Sequence, residues 1–112
     1  MATAFKNTIT KELGTTPVSV LTTNNTSRAT VIGLSLANLT KDAVTVSVTL
    51  TDTSVVPSVT GYFMKDIIIP ANQTLRAVNG GEKLLVATQN DLQVVSNTSA
   101  SVDVIVSYVE IT

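Results

Sequence analysis

A chain of 112 residues makes one domain, and with charged residues at 13 %, about half the usual share, it carries few groups to solvate it. Neither cysteine nor histidine occurs, which excludes disulfides, thiolate chemistry, a Ser-His-Asp relay and the commonest zinc ligand. A net charge of -1 with scattered cations excludes recruitment of a phosphate backbone, and no apolar run approaches the roughly 20 residues of a membrane helix, so neither nucleic acid nor membrane is an expected partner.

Met1 to Gly14 has no seven-residue apolar core, and Lys6 and Lys11 interrupt it, so secretion by the usual route is not expected. Phe5 to Lys11 and Val18 to Thr22 read as short extended segments separated by Gly14 and Pro17. Residues 1–27 thus form an extended N-terminal segment, either the first strands of the fold or an arm to another subunit. Residues 28–112 form the body. Arg28 to Asn38 places Ile32, Leu34 and Leu36 on one face and the small Gly33, Ser35 and Ala37 on the other, which suggests close approach by another layer. Ala43 to Asp52 alternates Val44, Val46, Val48 and Leu50 with hydroxyl residues, so it is a strand with one wet face. The turn residues between these two runs predict that they pair as a hairpin.

Thr60 to Ile69 ends at Pro70, which cannot donate to a ladder. Gln73 to Val78 and Lys83 to Thr88 flank Asn79-Gly80-Gly81, which predicts a second hairpin, and Gln89-Asn90-Asp91 reads as another turn. Leu92 to Ser96 is followed by Val102 to Ile111, where Val102, Val104, Val106 and Tyr108 oppose Asp103, Ile105, Ser107 and Val109. This second face is half apolar, as for a contact with a neighbour or for a partly wetted central strand. Eight or nine short strands at intervals near ten residues predict an all-β chain, a single antiparallel β-sandwich compatible with jelly-roll topology. With so few lysines its edges are poorly guarded, which favours assembly.

No motif for catalysis is present. The eight carboxylates sit largely at predicted turns and strand ends, and Ser-x-x-Lys spacing is absent. Calcium is the one metal worth naming, on the segment from Asp52 to Val59, but no EF-hand spacing supports it. Gly80-Gly81 lacks the lysine of a phosphate-binding loop. No cofactor and no metal is therefore expected. Sugar stacking finds no Trp and only Phe5, Tyr62, Phe63 and Tyr108; Tyr62 and Phe63 are adjacent, so in a strand they face opposite ways. Five Asn-x-Ser/Thr triplets, at Asn24, Asn25, Asn38, Asn72 and Asn97, reflect a chain rich in Asn, Ser and Thr.

The stretch Ala29-Thr-Val-Ile-Gly-Leu-Ser-Leu-Ala-Asn38, the Val run to Leu50, Ile69-Pro-Ala-Asn-Gln-Thr-Leu75, Gly81-Glu-Lys-Leu-Leu85 and Ser101 to Ile111 resemble small virion structural proteins of tailed bacteriophages, those of cyanophages above all. The resemblance covers residues 28–112 and implies a non-enzymatic, multicopy particle component of capsid, neck or tail, located in the virion and assembled in the host cytoplasm. It implies partnership with copies of itself, a trimer for instance, and with capsid or connector subunits. Phe5 and Ile9 are then expected to anchor the N-terminal segment on a neighbour by strand addition. Tyr62, Ile105 and Val109 complete the expected interface.

Overall fold

The computed structural model describes residues 2–78 and 83–112. Nine strands span Thr3–Leu13 (β1), Val18–Thr22 (β2), Arg28–Asn38 (β3), Val44–Asp52 (β4), Val59–Ile69 (β5), Thr74–Val78 (β6), Leu84–Val86 (β7), Asn90–Ser96 (β8) and Val102–Ile111 (β9) among the described residues. Branched Val, Ile and Thr populate them, as their restricted χ1 favours a pleated surface. They build two antiparallel sheets, one in the order β1-β9-β3-β6 with β7 also on β3, the other in the order β2-β8-β4-β5. This is an antiparallel ribbon folded over on itself. β4 pairs β5 at its inner end, then β3 pairs β6, β2 pairs β8 and β1 pairs β9. Rolling the ribbon adds the contacts β3 with β9 and β4 with β8. That topology is a jelly roll.

The core lies between the sheets. Val102, Val104, Val106 and Tyr108 of β9 and Leu34 and Leu36 of β3 point inward from one sheet, and Val44, Val46, Val48, Leu92 and Val94 from the other. Period-two alternation therefore assigns the faces of β4 and β9 as the sequence predicts.

Four expectations are corrected. β3 and β4 do not form a hairpin but lie in opposite sheets, and the chain crosses between them through residues 39–43. Turn residues specify a reversal, and a crossover between layers needs the same chemistry as a hairpin. The second correction concerns β6 and β7. Both pair with β3, one after the other, at Leu34 to Ala37 and at Ala29 to Val31, so they act as two halves of one interrupted edge strand. The Asn79-Gly80-Gly81 turn lies outside the described residues. Third, Ile32 does not face the core. The β3–β9 register shifts between Val31 and Gly33, so Val31 is fully buried while Ile32 turns outward and is 40 % exposed. An inserted residue inverts the alternation on one side of the bulge. Asn90 and Asp91, read as turn residues, open β8 instead.

Residues 3–13, read as part of an extended N-terminal segment, are laid along β9 of the same chain from Thr3 opposite Ile111 to Leu13 opposite Val102. Leu13 is 2 % exposed and belongs to the core.

Candidate functional site

The outward residues of β9 must be whatever alternates with its core residues, namely Asp103, Ile105, Ser107, Val109 and Ile111. β1 is in register with them. Ile9 stands opposite Ile105 and Phe5 opposite Val109, so four of the five expected interface residues meet on the outer face of the five-stranded sheet. Phe5 is 82 % exposed and Ile9 64 %. These side chains form two apolar cross-strand pairs, Phe5 with Val109 and Ile9 with Ile105, on either side of the polar pair Asn7 and Ser107.

Two further apolar residues share this face. Ile32 joins it through the bulge, and Leu85, opposite Thr30 on β7, joins because its neighbours Leu84 and Val86 turn inward. The Leu84-Leu85 adjacency was a usable signal, since one of two neighbouring strand residues must leave the core. Nothing in the alternation signalled the bulge. Beside Ile105, the small side chains of Gly33, Ser35 and Ser107 leave an open groove of about 380 Å³ bordered by Ile32, Thr74 and Arg76. The small-residue face of β3 is thus the outer face, and no layer of this chain covers it among the described residues.

Tyr62 is apart from the other four. It points outward from β5 in the second sheet, opposite Thr49, with the Lys65 ammonium 5.3 Å from its ring centroid. Its neighbour Phe63 turns toward the core. The outer face here is more polar, although Ile68 is exposed on it: Thr51 and Thr60 hydroxyls meet at 2.8 Å, and Asp91 accepts hydrogen bonds from Ser19, Thr22 and Gln93. The two outer faces therefore differ in chemistry.

Five of the carboxylates, those of Asp52, Asp66, Asp91, Asp103 and Glu110, are engaged by hydrogen bonds. Asp103 accepts from the Glu12 backbone N–H at 2.9 Å, and Asp66 from the Ser47 hydroxyl. Glu110 holds the Lys6 ammonium at 2.7 Å, and this hydrogen bond with its attraction raises the Lys6 pKa. Asp52 is held below the ordinary carboxylate value by the Ser54 hydroxyl and then the Ser54 backbone N–H. No three acidic side chains converge as ion ligands among the described residues. No helix of the structure is long and apolar enough to cross a membrane.

No family model and no curated protein matches the chain. Among solved structures, a chain of the T13 viral particle of infectious bursal disease virus superposes on 96 % of this chain with a TM-score of 0.56 and 9 % identity. This chain spans 30 % of that chain's length. A chain of the infectious bursal disease virus VP2 subviral particle aligns over 96 % of this chain and 36 % of its own, with 11 % identity and a TM-score of 0.41, too low to bear weight. The likeness to the first is one of fold. It defines the chain as a jelly-roll β-sandwich domain similar to a portion of a viral particle protein.

Proposed function

We propose that the chain is a non-enzymatic structural protein of a virus particle that works through repeated protein contacts. The observation that carries this reading is the apolar outer face of the β1-β9-β3 sheet, formed by Phe5, Ile9, Ile32, Ile105 and Val109 on a jelly-roll sandwich. An apolar, groove-bearing sheet face favours a protein partner over a small polar substrate. The similarity in fold to a viral particle chain supports the same direction.

Within that class, the resemblance of residues 28–112 favours a tailed-phage capsid decoration or neck protein. Its partners are copies of itself, in pairs or closed rings such as a trimer, and capsid or connector subunits. The N-terminal segment supplies contacts to a neighbour. Quantitative mass spectrometry of purified virions tests this: hundreds of copies per particle mark the capsid and roughly a dozen the neck, as closed symmetry requires. Absence of the chain from purified virions overturns it. Added recombinant protein should bind purified capsids or connectors, and Ile105→Lys, a change on the solvent side, should abolish binding while preserving the fold.

A tail- or fibre-associated carbohydrate-binding module is the alternative, and exposed Tyr62 beside Lys65 favours it. It requires saturable glycan binding that Tyr62→Ala removes.

A further inference from the structure

We infer that β1 pairs with β1 of a second copy, antiparallel about a two-fold axis at Asn7, joining two five-stranded sheets into one. The inference rests on the assembly part of the reading above and not on its viral part. It names the partner as another copy of this chain and the contact as an edge.

Ala2 and Thr112 exchange both backbone hydrogen bonds, at 3.0 and 2.9 Å. In an antiparallel ladder such pairs alternate with pairs whose N–H and C=O groups point away. With the register constant from Thr3 opposite Ile111 to Thr10 opposite Val104, Ala4, Lys6, Thr8 and Thr10 bond to β9. Phe5, Asn7 and Ile9 then direct their backbone groups outward from the open edge of the sheet. These residues also carry their side chains on its apolar outer face.

The other edges are blunted. β2 has five residues and a register shift, β6 and β7 are short halves, and β5 is broken by two register shifts and by Asp66 at φ 50°. β1 is regular over eight residues before its own irregularity between Thr10 and Leu13. Long regular edges are the ones that pair.

The strand is also self-complementary. Centred on Asn7, the regular stretch Ala4 to Thr10 maps onto itself. Phe5 then faces Ile9 of the second copy twice, Asn7 faces Asn7, and Lys6 faces Thr8. No like charges oppose each other. The one cation in that stretch is already drawn to its own sheet, since Lys6 is held by Glu110 at 2.7 Å. Aromatic and β-branched side chains across an antiparallel pair stabilise it, and the outward odd-numbered residues supply two hydrogen bonds per bonded pair. A single edge contact buries less than the roughly 800 Å² per partner of a stable complex, so the pair is expected to dissociate on the order of micromolar concentration.

The test uses the full chain. Light scattering should give twice the 11.7 kDa mass at high concentration, falling to one on dilution. Hydrogen exchange should show the Phe5, Asn7 and Ile9 amides protected in the concentrated sample alone, while Lys6 and Thr8 stay protected throughout. Asn7→Pro removes an outward donor that β9 does not use, and should raise the dissociation constant at least about tenfold. Phe5→Lys and Ile9→Glu should each weaken self-association, and mixing the two variants should restore a heterodimer, because one Lys–Glu pair and one unchanged Phe5–Ile9 pair then face each other. A monomer at millimolar concentration, a threefold mass, or mixing without rescue overturns the inference. Virion incorporation without dimers would leave the particle reading standing and sink this one.

Discussion

The side-chain amide of Asn38, the last residue of β3, donates to the backbone carbonyl of Ile69, the last residue of β5, at 3.0 Å and so ties the two sheets at one corner. The same Nδ2 donates to the carbonyls of Asp42 at 2.9 Å and Pro70 at 3.1 Å, while Oδ1 accepts from the Thr40 N–H and hydroxyl. Asn38 is 4 % exposed, so its triplet is no accessible glycan acceptor. Removing it would take a buried donor from the Ile69 carbonyl and partly buried ones from those of Asp42 and Pro70. Asn38→Ala is therefore expected to destabilise by about 2–3 kcal/mol. Asn38→Asp should cost more, because a near-isosteric carboxylate loses every donor facing the three carbonyls. Urea unfolding measures both, and wild-type stability in Asn38→Asp would refute this role.

The bulge in β3 makes neighbouring residues unequal. Val31 is wholly buried against the core, whereas Ile32 projects outward. Val31→Ala is expected to cost about 2 kcal/mol or more, from lost transfer energy and a residual cavity. Ile32→Ala should stay within about 0.5 kcal/mol in the isolated chain. Equal losses in thermal or chemical melts would mean that the register shift is misplaced.

Asp52 reports its turn through pH. Because the Ser54 hydroxyl and N–H favour the carboxylate, its folded pKa lies below the unfolded value. Its contribution to stability is present above the unfolded pKa and is lost as pH falls through the folded one, below about 4. Ser54→Ala should move the Asp52 titration upward, toward the ordinary value, in a carboxyl-detected NMR titration. No movement would show that the hydroxyl is not the cause.

Lys6 behaves in the opposite sense. Its hydrogen bond and attraction to Glu110 raise its pKa. That contribution is present below the unfolded value and fades as pH climbs through the raised one, above about 10. Glu110→Gln should lower the Lys6 titration and remove this alkaline dependence, while melting at neutral pH changes little, since exposed pairs are well screened. An unchanged Lys6 titration would contradict the pairing.

Local chemistry was enough to locate the strands. β2, β3 and β9 have the limits read from residue pattern alone, and the faces of β4 and β9 follow period two because alternation is intrinsic to the pleat. It also marked Phe5, Ile9, Ile105 and Val109 as apolar side chains without an assured place in the core. What each strand pairs with lay beyond it. A jelly roll joins β1 to β9 and β2 to β8 across nearly the whole chain, and such partners are chosen by the fit of two layers, not by the turn between neighbours. Asn38, Pro70 and the residues between β3 and β4 could as well have closed a hairpin. Their use at a crossover depends on the Ile69 carbonyl, thirty-one residues away, being within reach. The inversion at Ile32 and the open edge of β1 likewise exist only once β9 has been laid between β3 and β1. The order of side chains set which residues can be buried; packing of the two sheets decided which of them are, and which remain outside to meet a partner.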